Sequence, residues 1–132
     1  MAYLLDTNAV IALLKDADSP IGRRVRMCRP ADVFVSSVVL HELFYGAFKS
    51  VRTKRNVALV DGLRFGALEF SREDARDAGE IRASLAAKGT PIGPYDVLIA
   101  GQARARGLVL ITRNTDEFAR VPGLLMEDWE AD

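Results

Sequence analysis

Three acids stand where the sequence is otherwise apolar. On a helix predicted from Ser37 to about Lys49, Glu42 has Val38, Val39, Tyr45 and Gly46 three and four residues away, and none is charged. Asp96, on a helix opened by Pro94 and ended by Gly107, shares its face with Ile99, Ala100 and Ala103. Asp6 directly follows Tyr3-Leu4-Leu5. A carboxylate on an apolar face is costly unless it meets a cation, a metal or a set of donors. Each acid also has a plainer reading: Asp6 as a helix cap, Asp96 as a first-turn acid complementing the helix dipole, Glu42 as a surface residue. Together they point to a cluster of hard oxygen ligands, which selects Mg²⁺ or Mn²⁺ and suits hydrolysis of phosphodiesters by activated water. The single histidine, His41, excludes chemistry that needs two imidazoles, and the single cysteine, Cys28, excludes an internal disulfide or a cysteine-rich zinc site.

Positioning these acids requires strands that alternate with helices. Residues 2–5 read as a short buried strand ending at Asp6, with Thr7 capping a helix over residues 8–14. Ser19-Pro20 supplies a cap and first helical residue for a second helix. Val33-Phe34-Val35 is a second strand, and Ser36-Ser37 cap the Glu42 helix. The basic stretch 50–55 reads as a connection, followed by a helix to about Leu63. Residues 67–70 suggest a third strand, after which Ser71 caps a helix with Asp74 in its first turn. Residues 108–112 form a strong strand and 124–126 a weaker last one. The expected fold class is α/β: a three-layer α/β/α sandwich with a mostly parallel central sheet, residues 1–132 forming one domain. Sites in such folds lie beyond the carboxyl ends of the strands, where Asp6, Asn114 and Asp116 fall.

Composition adds limits. Eighteen basic and eighteen acidic residues cancel, so nucleic-acid binding would have to come from how charge is distributed. Basic residues gather at Arg23, Arg24, Arg26 and Arg29; at Lys49, Arg52, Lys54 and Arg55; and at Arg104, Arg106, Arg113 and Arg120. Arg113, between a strand end and Asn114, is the best placed to touch substrate. Neither a secretory signal nor a membrane-spanning run is present, so a soluble cytoplasmic protein with no membrane partner is expected.

Several blocks resemble the PIN-domain nucleases, and more narrowly VapC-type toxins of bacterial toxin–antitoxin pairs. They are Leu4-Leu5-Asp6-Thr7-Asn8, residues 36–43 ending in His41-Glu42-Leu43, Pro94-Tyr95-Asp96-Val97-Leu98-Ile99-Ala100, and residues 111–118. The endings Val121-Pro122-Gly123-Leu124 and Glu127-Asp128-Trp129 fit as well. The resemblance implies a homodimeric, Mg²⁺- or Mn²⁺-dependent endoribonuclease, with Asp6, Glu42 and Asp96 at the metal-binding positions. Many members carry a fourth acid two residues after the strand-ending threonine; here that place holds Asn114, so Asp116 is the candidate substitute and Glu117 a second one. Asn8 and Thr112, with Asn114, would orient water or a carboxylate. The substrate implied is RNA, with structured RNA such as tRNA a common target and the initiator tRNA anticodon region the target of some relatives. The partner implied is a cognate antitoxin whose C-terminal segment lies in an apolar groove, for which the Leu40, Phe44 and Phe48 stripe is a candidate. His41 is expected to be structural, Trp129 a packing anchor and Cys28 an ordinary buried thiol.

The rival readings are weaker. A phosphohydrolase with Asp6 as covalent nucleophile would want an acid where the chain has Asn8, and a non-catalytic binding module has no need of the three acids. No Gly-rich phosphate loop with its lysine and no nucleophile elbow is present.

Overall fold

A computed structural model describes residues 1–131. Its centre is a five-stranded sheet in the order β3-β2-β1-β4-β5, every neighbouring pair parallel. The strands are β1 (Tyr3–Leu5), β2 (Val33–Ser36), β3 (Gly66–Leu68), β4 (Val109–Ile111) and β5 (Met126–Glu127). Leu4, Leu5, Val109, Leu110 and Ile111 are all buried, the continuous apolar run of strands covered on both faces. The helices are α1 (Thr7–Lys15), α2 (Pro20–Arg26), α3 (Ser37–Lys49), α4 (Thr53–Asp61), α5 (Arg72–Ala87), α6 (Pro94–Arg106) and α7 (Thr115–Phe118). Right-handed crossovers put α1–α4, which accompany the chain from β1 out to β3, on one face of the sheet. They put α5–α7, which accompany its return through β4 to β5, on the other, completing the expected sandwich.

Most caps are those the sequence announces. Ser19 accepts from the Gly22 N–H, Ser36 from the Val38 N–H, and Ser71 with Asp74 closes a capping box. Gly107, at φ 66°, ends α6 in the left-handed region that glycine adopts freely. Four expectations shift. Asp6, not Thr7, caps α1; α4 starts at Thr53, so Lys54 and Arg55 lie on a helix; β5 falls at Met126–Glu127; and α7 was not expected at all.

On the second face α5 and α6 form an antiparallel pair. Asp74, only 1% exposed, accepts from Gln102 Nε2 at 3.0 Å and from Arg106 Nε and Nη2 at 3.1 and 3.0 Å. Burial alone would push the Asp74 carboxyl up; the Arg106 guanidinium and the Ser71 N–H hold it below its usual range. Arg104 is likewise engaged, by Asp77 at 3.2 Å and Glu80 at 2.7 Å. The helices touch most closely at Gly101, where an added Cβ would lie 2.6 Å from the N, Cα and Cβ of Ala78.

That contact sets two opposing effects against each other. In Gly101→Ala the clash outweighs the helix-propensity gain, for a net loss of about 1–2 kcal/mol. In Gly79→Ala, on the exposed side of α5 with nothing within 4 Å, the gain stands alone at roughly 0.5–1 kcal/mol. Denaturant midpoints should therefore move in opposite directions; a stabilised Gly101→Ala would contradict the close crossing.

Candidate active site

The chain leaves β1 in opposite directions through the sheet: β2 and β3 lie to one side, β4 and β5 to the other. Ligands gather at the carboxyl end of such a switch point, and Asp6 and Thr112 emerge there side by side. The Asp6 N–H donates to the Ile111 carbonyl at 3.1 Å and the Thr112 N–H to that of Glu127 at 3.0 Å, which fixes the three strand ends at one level.

Asp6 is buried and caps α1, its Oδ1 accepting from the Ala9 N–H at 2.8 Å. The plainer reading of this residue is therefore correct, and it leaves Oδ2 unused by the cap. Burial raises the Asp6 pKa, and the charges of Glu42 and Asp128 add to that; the Thr112 hydroxyl and the Ala9 N–H work against it. Thr7, released from capping, donates its hydroxyl to Glu42 Oε1 at 2.9 Å and so ties α1 to α3. Glu42 is half-buried. Val39 beside it is buried, but Tyr45 is 62% exposed and Gly46 is open too, so Glu42 stands at the edge of an apolar face, not inside one.

Asp96 is half-buried in the first turn of α6, above the buried Ile99, Ala100 and Ala103. Its pKa is raised to about 6, by burial first and then by the charges of Glu117, Glu42 and Asp6. Glu117, on α7, accepts from the Gly93 N–H at 3.0 Å and from Asn114 Nδ2 at 2.5 Å. Those two bonds hold its pKa below the usual range against some burial, with Arg120 assisting. Gly93 touches both acids: its N–H holds Glu117, and an added Cβ would stand 3.1 Å from Asp96 Oδ2.

Of the remaining expected residues, Thr112 is buried beside Asp6 and its Oγ1 accepts from the Asn114 N–H at 3.0 Å. Asn8, Arg113, Asn114 and Asp116 are exposed. Asp116 is not among the charges that bear on Asp6 or Asp96, whereas Glu117 leads those on Asp96. Two acids missed from sequence, Asp128 and Glu130, reach the same rim: Asp128 bears on Asp6, and Glu130 is raised by burial, then by Asp6 and Asp128, with Arg113 opposing. The parallel register of β5 is the signal that would have found them, since whatever follows Glu127 must emerge beside Thr112, one strand over from Asp6.

Among the described residues Asp6, Glu42 and Asp96 take part in no ion pair. As they stand, no three His, Cys, Asp or Glu side chains among the described residues are gathered closely enough to hold a metal ion. The acids share a field, with Asp6, Glu42 and Glu117 each turned to its own donor. An all-oxygen set of mutually repelling carboxylates with no cationic partner nevertheless fits a hard divalent ion in its chemistry.

Beside Glu42, a groove of about 470 Å³ runs between α1, α3 and α4, lined by Ile11, Leu14, Leu43, Ala47, Leu59 and Val60, with Lys15 and Arg55 among its polar walls. The expected Leu40, Phe44 and Phe48 stripe does not line it. Leu40 and Phe44 face a separate hollow with Val35 and Phe65, and Phe48 is 65% exposed. Trp129 is the expected anchor, buried against Tyr3 with Arg24 5.0 Å from its ring. Cys28 is half-buried, its thiol 3.4 Å from the Arg24 carbonyl. His41 is exposed, its ring 5.5 Å from that of Tyr95.

Residues 3–124 match the family described as PIN domain. The tRNA(fMet)-specific endonuclease VapC of Salmonella typhimurium is 44% identical over 98% of both chains, and that of Shigella flexneri 43% identical over the same shares. The crystal structure of DNA-bound VapBC from Salmonella typhimurium superposes with a TM-score of 0.92 at 44% identity, covering 98% of each chain.

The field at the rim has a consequence for the metal-free protein. With its pKa raised from 3.8 to about 6, Asp96 binds its proton more tightly folded than unfolded, so its contribution is fully present below about pH 4 and lost as pH rises through about 6. Asp96→Asn should flatten that part of the stability–pH curve and stabilise the metal-free chain at pH 7 by about 1 kcal/mol after solvent screening. Urea midpoints at the two pH values check it; a destabilised variant at pH 7 would mean that Asp96 has a partner there.

Proposed function

The chain belongs to the PIN-domain family, within its VapC branch, and from that premise we propose that it is the ribonuclease toxin of a toxin–antitoxin pair, cutting initiator tRNA in a divalent-metal-dependent reaction. The observation that carries this reading is the convergence of acids at the carboxyl end of β1, where the charges of Glu117, Glu42 and Asp6 bear on Asp96 and that of Glu42 on Asp6, and where among the described residues Asp6, Glu42 and Asp96 take part in no ion pair. The tRNA target rests on the 44% identity to a relative named for it.

Asp6, Glu42 and Asp96 would hold the ion, with Glu117 in the place of the fourth acid in preference to Asp116. Bound there, Mg²⁺ or Mn²⁺ supplies neutralisation of charge on the phosphate and a water of lowered pKa. The remaining roles belong to the chain. Thr112 and the Ala9 N–H fix Asp6, Thr7 steadies Glu42, and Asn114 with Gly93 keeps Glu117 ionised beside Asp96. Arg113, exposed at the rim, can meet the phosphate backbone. Without a pair of imidazoles to run a 2′-hydroxyl route, the expected products carry 5′-phosphate and 3′-hydroxyl ends.

The groove beside Glu42 suits an apolar antitoxin segment, with a basic side chain at its end reaching the acids, and supports that partner. Homodimerisation and a cytoplasmic location complete the reading; no helix among the described residues is long and apolar enough to cross a membrane.

Cleavage of initiator tRNA should fall by about a hundredfold or more in Asp6→Asn and Asp96→Asn with the fold intact, and vanish in excess chelator. Glu117→Gln should cost far more activity than Asp116→Asn, which should stay within about twofold of wild type. As pH drops below about 6, where Asp96 of the metal-free chain takes up its proton, protons should compete with the ion and cleavage should need more Mg²⁺ for half-maximal rate. Gel assays of end-labelled tRNA read all of these; undiminished cutting in chelator would overturn the metal-dependent mechanism.

A further inference from the structure

We propose that His41 and Tyr95 form a stacking subsite for an unpaired nucleobase of the RNA substrate, an inference that rests on the nuclease reading above. The two rings come from opposite layers of the sandwich, His41 on α3 and Tyr95 on α6, and meet 5.5 Å apart at the edge where the acids lie. Each directly precedes a site acid, Glu42 and Asp96. Neither belongs to the core: His41 is exposed and Tyr95 is 45% exposed. The rings are tilted by 51°, so they do not cover one another face to face.

The charge distribution makes such a contact useful. A polyanion that approaches this rim meets Asp6, Glu42, Asp96, Glu117, Asp128 and Glu130 on a chain with formal net charge +0. Arg104 and Arg106 are held in ion pairs inside the α5–α6 layer, and Arg24 pairs with Glu127. Arg113 stands exposed among these acids and can meet a phosphate, but it faces several carboxylates, so contacts that do not depend on net charge add affinity here. Base stacking on an aromatic ring is such a contact; it tolerates any base and requires that the base be unpaired. A loop nucleotide seated on Tyr95 and His41 would lie beside the acids on both helices.

The test compares Tyr95→Leu, Tyr95→Phe and His41→Ala with wild type on an initiator tRNA transcript. Tyr95→Leu should raise KM about tenfold with kcat within about twofold, and Tyr95→Phe, which keeps the ring, should restore wild-type KM. Stacking is read apart from cleavage in an Asp6→Asn background, using a single-stranded oligonucleotide that carries 2-aminopurine. Its fluorescence should be quenched on binding, and the quench lost with Tyr95→Leu and weakened with His41→Ala. A chain that quenches the probe but cuts no RNA would sink the nuclease reading while retaining the subsite. An unchanged KM and an undiminished quench in Tyr95→Leu would overturn the proposal. So would a KM rise shared by Tyr95→Phe, or a lowered thermal midpoint with KM unmoved, which would leave the pair merely joining two layers.

Discussion

Repulsion among carboxylates at one edge of the sheet is the constraint on which the rest of the rim depends. Two unit charges about 6 Å apart repel by roughly 3 kcal/mol at an effective dielectric of about 20, against a typical total stability of about 5–15 kcal/mol. The fold offsets this with neutral donors. Asp6 takes the Ala9 N–H, Glu42 the Thr7 hydroxyl, and Glu117 the Gly93 N–H and the Asn114 amide. Each donor sits at the start of a helix or in the turn before one, where N–H groups are not consumed by the helix ladder. Among the described residues Asp96 receives no such bond, and it is the acid whose pKa climbs to about 6.

Parallel topology explains why the acids converge at all. Every strand delivers its last residue to the same edge, so chain segments far apart in sequence, from Asp6 to Glu130, end near one another. The opposite layers touch at this edge through α3 and α6. The α5–α6 pair, locked by Asp74, Gln102 and Arg106 and by the close approach at Gly101, fixes α6 well away from the charged rim. Arg106 and Arg104 are engaged within that pair, while Arg113 stands as an exposed cation beside the acids.

Much of this was legible in the sequence because local signals agreed with the tertiary outcome. Ser19, Ser36, Ser71 and Gly107 announce helix ends, and the apolar runs announce buried parallel strands. The misses have physical causes. Asp6 and Thr7 are both good caps, and only the position of Glu42, thirty-five residues on, decides that Thr7 serves elsewhere. A four-residue helix such as α7 has no periodicity to read, so nothing local ranks Glu117 above Asp116; the Gly93 N–H that holds Glu117 is 24 residues away. The apolar neighbours of Glu42 suggest more enclosure than it has, because apolar is not the same as buried: Tyr45 is 62% exposed. Asp128 and Glu130 needed the register of β5, a strand of two residues.

Asp6, Glu42 and Glu117, bonded to separate donors, are proposed to join Asp96 as the ligands of one divalent ion. Paramagnetic broadening of backbone amide signals on adding Mn²⁺ to the metal-free chain tests it without substrate or turnover. Saturable broadening centred on residues 6, 42, 96 and 117, reversed by Mg²⁺ in excess, is the expected result. Broadening that is absent, or scattered over exposed acids such as Asp16, Asp18 and Asp61, would contradict it.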